Sequence, residues 1–217
     1  MSHSSLPPRL PGMRIAIIGG TGTLGRAVAA ELAARGHEAR VLSRHAERYR
    51  VDLTTGFGLD AALEGCDAIV DASNDANPKK ARPVLVDGTR RLARAGAEAG
   101  VRHHVAVSII GCEQVPIGYY KVKVEQERAV AQGGLPWTVV RATQFHDLLG
   151  QAFAAGAKFG VLPLLRVPLQ PIAVADAARA VADAAESEPR AGRIEVAGPE
   201  VHDARDLARH TTPLRDL

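Results

Sequence analysis

"IIGGTGTLGR", Ile17–Arg26, carries glycine at positions 19, 22 and 25, directly after the apolar run Ile15–Ile18. An apolar run of this length, closed by glycine, reads as a buried strand. Leu24, Val28 and Leu32 follow at helical spacing, with Gly36 as the stop. A strand that turns through glycines into a helix presents free backbone N–H groups and roughly half a positive charge at the helix start. Glycine accepts a positive φ where the turn needs one, and its missing side chain lets a phosphate reach the amides. The pattern G-x-x-G-x-x-G is a variant of the dinucleotide fingerprint G-x-G-x-x-G. Its place between strand and helix points to a pyrophosphate cradle made of Gly19, Thr21, Gly22, Thr23, Leu24 and Gly25. A structural turn without a ligand is the competing reading.

The same alternation continues along the chain. Strand-length apolar runs recur at Ala39–Leu42, Ala68–Ala72, His104–Ser108, Trp137–Arg141 and Arg193–Ala197. Helical spacing joins Leu85, Leu92 and Ala99 before Gly100. It also joins Tyr119, Val122, Gln126 and Ala129 before Gly133-Gly134, and Val174, Ala178, Val181 and Ala185. Strands that are continuously apolar rather than alternating are those of a parallel sheet covered on both faces. The fold class is therefore α/β, a Rossmann-like doubly wound parallel sheet in one domain over residues 13–217. Residues 1–12 read as a disordered tail. Segments near 145–175 and 198–217 are expected to form a small substrate side, in which Asp203 and Asp206 resemble an acidic N-cap pattern.

Composition narrows the function classes. Of 217 residues, 46% are hydrophobic and 24% charged, with a net charge of +3, which is ordinary for a globular domain. Basic and acidic residues are interspersed, which argues against nucleic acid as a partner. Cys66 and Cys112 are too few for a disulfide framework and fit a cytoplasmic protein with reduced thiols. The opening "MSHSSLPPRLPG" lacks the apolar core of a signal peptide, and no window reaches the roughly 18 apolar residues that mark a membrane span. His103-His104 and His146-Asp147 have no metal-ligand spacing, so no metal is expected.

The end of the second strand bears on cofactor choice. An NAD site carries Asp or Glu there for the ribose 2′-hydroxyl. This chain has Ser43 and Arg44, with Arg48 close behind, and Glu38 stands at the opposite end of the strand. A guanidinium makes paired, charge-assisted hydrogen bonds to phosphate, so NADP(H) is expected over NAD(H). A solvated surface arginine is the alternative.

"GGTGTLGR", "VDLTTG" (Val51–Gly56), "DGTRRLARAGAEAGVRHHVAVSIIG" (Asp87–Gly111), "YYKVK" (Tyr119–Lys123) and "GLPWTVVRATQFHDLL" (Gly134–Leu149) together resemble the NmrA-like group of atypical short-chain dehydrogenase/reductases. The resemblance runs from about Met13 to about Leu207. It implies a Rossmann-like fold that binds NAD(P). It also implies that Asp52 and Leu53 lie beside the adenine and that Ala72 and Ser73 run beside the nicotinamide-side ribose. Members of the group usually continue beyond the point matching "TTPLRDL", so a reduced lid over the substrate is expected.

In short-chain dehydrogenases, Y-x-x-x-K supplies the general acid. Tyr119 and Lys123 have that spacing, which places both on one helix face. A free tyrosine has a pKa of about 10. An ammonium about 4 Å away favours the phenolate by roughly 4 kcal/mol at an effective dielectric of about 20, so Lys123 is expected to lower the phenol's pKa. The resemblance also assigns Lys123 to the ribose hydroxyls. Ser108, at a strand end, can orient a substrate carbonyl. Thr143, with Gln144, Phe145 and His146, follows the sixth strand, where ligands of open α/β sheets bind. A plain helix face formed by Phe145, Leu148 and Leu149 is the alternative. Tyr120 is also within helical reach of Lys123. Some relatives are regulators that bind cofactor without turnover, and then Tyr119 is a packing residue. The expected activity is an NADPH-dependent reduction of a carbonyl or quinone-like small molecule. The alternatives are a non-catalytic NADP(H) sensor with a protein partner, and an epimerase or dehydratase with tightly held NAD, which Arg44 disfavours. A homo-oligomer is compatible with either role.

Overall fold

A computed structural model describes residues 12–75, 77, 81–115, 118–150 and 168–211. In chain order its elements are β1 (Arg14–Ile18), α1 (Thr23–Ala34), β2 (Glu38–Ser43), β3 (Tyr49–Arg50), α2 (Leu59–Leu63) and β4 (Ala68–Asp71). A π-helical turn (Pro83–Asp87) then leads into α3 (Gly88–Glu98), β5 (His103–Ile109), α4 (Gly118–Ala131) and β6 (Trp137–Ala142). The chain closes with β7 (Pro168–Leu169), α5 (Val174–Glu186), β8 (Gly192–Val196), β9 (His202–Asp203) and α6 (Ala204–Thr211).

Seven strands form one parallel sheet in the order β3-β2-β1-β4-β5-β6-β8, and β7 pairs antiparallel with β9. This is the doubly wound sheet expected from the continuous apolar runs. The order reverses between β1 and β4. Such a switch point opens a crevice at the carboxyl ends of the strands.

The apolar runs are continuous because each strand buries both faces. Ile15 and Ile17 pack with Leu24, Val28 and Leu32 of α1 and with Ala178 and Val181 of α5. Ala16 and Ile18 point the other way, towards Leu59 and Leu63 of α2 and Leu92 of α3. Each fully buried Ile or Leu contributes roughly 1.5–3 kcal/mol. Arg35, just past α1, donates to Asp183 (2.6 Å) and Glu186 (2.7 Å) and so ties α1 to α5.

Three features differ from the sequence expectation. Leu85 lies on the π-helical turn and not on the helix of Leu92; Pro83 stands at its start and Gly88 begins the regular α3. The short strand β3 and the β7–β9 pair were not expected. Both are two-residue pairings, too brief for a periodicity to show. The tail expected at 1–12, apart from Gly12, and residues 151–167 and 212–217 of the substrate side lie outside the described residues. Asp203 does cap α6, accepting from the Arg205 backbone N–H at 2.9 Å.

Candidate functional site

The turn after β1 is held by backbone alone. Gly22 N–H donates to Gly19 O (2.9 Å), and Gly19 has φ 71°. A Cβ on Gly19 would lie 2.6 Å from Ala72 O, and one on Gly25 would lie 2.3 Å from Gly19 O. Glycine at 19 and 25 is therefore required by close approach. Gly22 differs: its backbone is extended (φ −75°, ψ 172°), and a Cβ there would meet only Gly19 O at 3.1 Å. No side chain among the described residues caps the start of α1. Its first N–H groups are thus left for a ligand.

A cleft of two lobes runs from this turn along the carboxyl ends of the strands. The larger encloses about 470 Å³ and the smaller about 210 Å³. Gly22, Ala72, Ser73 and Asn74 line both, so the lobes share a floor.

The smaller lobe brings together Gly19, Thr21, Ser43, Arg44, Asp52 and Leu53 with that floor. Arg44 is exposed at its rim. The Thr54 hydroxyl donates to the Asp52 carboxylate (2.6 Å) and holds it below the usual carboxylate range, with Arg44 and Arg50 adding to the effect. Arg48 is not part of the lobe. Its guanidinium stacks over Tyr49, 5.3 Å from the ring centre, because the bend after Arg44 turns it back on β3. Glu38 is at the far end of β2, paired with Arg14 at 2.8 Å.

The larger lobe gathers Thr23, Leu24, Gly25, Ser108, Tyr119, Lys123, Thr143, Gln144 and Phe145. His146 is exposed and does not line the larger lobe, which Asp147 and Leu148 do; its backbone N–H donates to Ile172 O (3.2 Å). The hydroxyl oxygens of Ser73, Ser108 and Thr143 are buried with no hydrogen-bond partner among the described residues. Three orphaned hydroxyls along one cleft fit a polar ligand that completes them.

Tyr119 and Lys123 share the cleft, but not as a coupled pair. Tyr119 Oη donates to Asn74 Oδ1 at 2.6 Å. Burial, with Tyr120 and Asp75 nearby, pushes its phenol up to about 12. The expected lowering by Lys123 is therefore corrected. The lysine lines the larger lobe, and its Nζ donates to Val107 O (2.8 Å) and Gln126 Oε1 (2.5 Å). Burial lowers the Lys123 pKa, and the carboxylates of Asp71 and Glu127 oppose that.

Two buried polar groups beneath the cleft were missed. Gln126, read as a helix-face marker, joins Lys123 to Asp71 and Thr89. Arg141, read as the end of an apolar strand, makes two hydrogen bonds of 2.9 Å to Glu127, and Arg193 adds a third at 2.8 Å. Burial favours the neutral Glu127 acid. Hydrogen bonds from Arg141 and Arg193 overrule it and bring the pKa to about 2. A Gln on an apolar helix stripe and an Arg inside a buried strand were the available signals. Asn74, next to Ser73 at the β4 end, was also missed.

Outside the cleft, His103 Nε2 pairs with Thr138 Oγ1 (2.9 Å), and His104 is fully buried in β5, so both belong to the core. Burial raises the thiol pKa of Cys66 and of Cys112. Among the described residues there is no cluster of metal-ligating side chains, and no helix is long and apolar enough to cross a membrane.

The family model described as NAD(P)H-binding matches residues 19–188. A (4-alkanoyl-5-oxo-2,5-dihydrofuran-3-yl)methyl phosphate reductase of Streptomyces griseus is 37% identical over 143 residues, 60% of this chain and 48% of that protein. The photosystem II assembly factor Ycf39 of Synechocystis is 29% identical over 154 residues, 64% of this chain and 47% of that protein. The chain spans about half the length of these relatives. Among solved structures, UDP-glucose 4-epimerase of Thermus thermophilus in complex with NAD superposes with a TM-score of 0.76 at 22% identity, covering 92% of this chain and 82% of that one. A putative epimerase of Burkholderia cenocepacia gives 0.78 at 20%, covering 94% and 82%. At these identities the likeness shows the fold alone.

Proposed function

This chain belongs to the NAD(P)H-binding family, and from that premise we propose that it is an NADPH-dependent oxidoreductase reducing a carbonyl or quinone-like small molecule. The observation that carries the reading is the shared floor Gly22, Ala72, Ser73 and Asn74, which joins a lobe holding Arg44 to a lobe holding Ser108, Tyr119 and Lys123. One elongated ligand can lie across that floor and present its reactive end to Tyr119.

The α1 N-terminus and Gly22 receive the pyrophosphate. Arg44 and Ser43 take the 2′-phosphate, and Leu53 borders the adenine. The unpartnered Ser73 and Thr143 hydroxyls serve the nicotinamide half. Lys123 has an ammonium proton left after Val107 and Gln126 are satisfied, and it holds a ribose hydroxyl. Bound NADPH supplies the hydride. Ser108 orients the substrate carbonyl, and the Tyr119 hydroxyl gives its proton to the carbonyl oxygen as negative charge develops there. A phenol with a raised pKa stays protonated at neutral pH, which is the form a donor needs. Gln144 and Phe145, which line the larger lobe, face the substrate.

A second reading has its own support. The Tyr119 hydroxyl is already engaged by Asn74, and the Ycf39 relatives are named as assembly factors. On that reading the chain is an NADP(H) sensor that docks on a protein partner. Supplying NADPH with a panel of aldehydes, ketones and quinones, while following nicotinamide absorbance, separates the two. Loss of absorbance with a substrate supports the reductase. Tight NADPH binding with no turnover across the panel supports the sensor.

A further inference from the structure

We infer that Gln126, Asp71 and Thr89 form a buried positioning relay that aims the Lys123 ammonium into the cleft and supplies its counter-charge at one remove. The inference rests on the reading of Lys123 as a cofactor-holding residue. The contacts form one chain. Lys123 Nζ donates to Gln126 Oε1 (2.5 Å), and Gln126 Nε2 donates to Asp71 Oδ2 (3.2 Å) and Thr89 Oγ1 (3.3 Å). Thr89 Oγ1 donates to Asp71 Oδ2 (3.0 Å), and Asp71 Oδ1 accepts from the backbone N–H of Ser73 (3.0 Å). Asp71 and Thr89 are fully buried, and Gln126 nearly so.

The donors and acceptors match in one orientation of the amide. A flipped Gln126 would set its N–H groups against an ammonium and its oxygen against a carboxylate. The amide therefore couples the two charges and keeps them apart. Burying polar groups this deeply is unfavourable unless they are bonded, and leucine would fill the same helix position without that penalty. The relay also ends on Ser73, part of the floor that both lobes share. Through it, the lysine and the floor hold a fixed relation before any ligand arrives.

The charges around Lys123 come from several elements. Asp71 is on β4, Glu127 is on the lysine's own helix, and Cys112 follows β5. His104 of β5 senses the Asp71 charge and is buried, which favours its neutral form. Tyr119 and Tyr120 share α4. Glu127 is neutralised by Arg141 and Arg193, which leaves Asp71 as the carboxylate that the relay serves.

The test is NMR of protein labelled with ¹⁵N-lysine, reading the Nζ titration of Lys123, one of five lysines and assigned by Lys123→Arg. Gln126→Leu and Asp71→Asn are each expected to move the Lys123 midpoint down by on the order of one pH unit. Thr89→Val should move it less, and Thr89→Ser should restore it. NADPH affinity, measured by calorimetry above the lowered midpoint, should fall about tenfold in the first two variants. An unchanged Lys123 titration in folded Gln126→Leu and Asp71→Asn overturns the relay. If neither variant folds, identical titrations of Thr89→Val and Thr89→Ser overturn it. If the unmodified protein fails to bind NADPH, the cofactor reading falls, while the lysine titration still judges the relay.

Discussion

The Tyr119 hydroxyl donates to Asn74 Oδ1 at 2.6 Å, a bond from the first turn of α4 to the segment after β4 that lines both lobes of the cleft. The phenol is thus a donor already, and it is held over the floor. A substrate carbonyl that took the place of the Asn74 oxygen would find the proton aimed at it. Tyr119→Phe should therefore keep NADPH affinity, since the turn, Arg44 and Lys123 are untouched. Turnover should fall by about 10²–10⁴, the usual share of a positioned acid. Tyr120→Phe should be mild. Steady-state rates on an accepted substrate decide this, and a crippled Tyr120→Phe with an active Tyr119→Phe would reassign the acid.

Arg44 sets the expected cofactor preference. A charge-assisted hydrogen bond contributes about 1.5–3 kcal/mol, so Arg44→Asp should weaken NADPH by roughly 10–100-fold. NADH affinity should change little or improve. Calorimetry with both cofactors checks it; equal affinities in the unmodified protein would remove Arg44 from the site.

Gly22 and Gly25 should respond differently to added carbon. Gly22→Val is expected to fold, because its backbone is extended and the nearest obstacle stands 3.1 Å away. It should lose NADPH binding, since the new methyls enter the cleft. Gly25→Ala should destabilise the fold itself, with its Cβ 2.3 Å from Gly19 O. Thermal melts and calorimetry on both variants test the contrast, and a folded Gly22→Val that still binds NADPH would relocate the ligand.

Glu127 links acidity to stability. Its native pKa of about 2 lies below the ordinary 4.5, so the unfolded chain binds more protons between those values. Stability from this carboxylate is fully present above about pH 4.5 and is lost as pH falls towards 2. The shift corresponds to about 3 kcal/mol. Urea denaturation at pH 5 and pH 3 should show the loss. Glu127→Gln should be less stable by up to about 3–5 kcal/mol at neutral pH, because Arg141 stays buried with only the more exposed Glu113 and Glu195 carboxylates to face it. Its acid slope should be shallower; an unchanged slope would show that other groups carry the effect.

The parts of this molecule that were readable in sequence are those written in local periodicity. β1 covers its apolar run Ile15–Ile18 and adds Arg14, and α1 runs from the glycine turn to just before Gly36. The glycine turn before α1, the placement of Ser43-Arg44 at the end of β2 and the helix carrying Tyr119 and Lys123 were readable because each sits at a strand or helix end. Gln126, Asp71 and Thr89 were not, since three elements distant in sequence must pack before their polar atoms meet. The Lys123 expectation failed for the same reason. Helical spacing brings it near Tyr119, but it does not reveal the Val107 carbonyl and the Gln126 amide that take hold of the ammonium. Sequence could not tell which residues after β6 line the lobe; Asp147 and Leu148 do, and His146 does not.

The shared floor limits how the site can be redesigned. Ser73 and Asn74 touch both lobes, so enlarging the larger lobe at either position for a bulkier substrate also alters the lobe proposed to take the cofactor. Selectivity for nucleotide and for substrate would then drift together in a mutant library. Variation at Phe145, Asp147 or Leu148, which border the larger lobe alone, is the route by which one could change without the other.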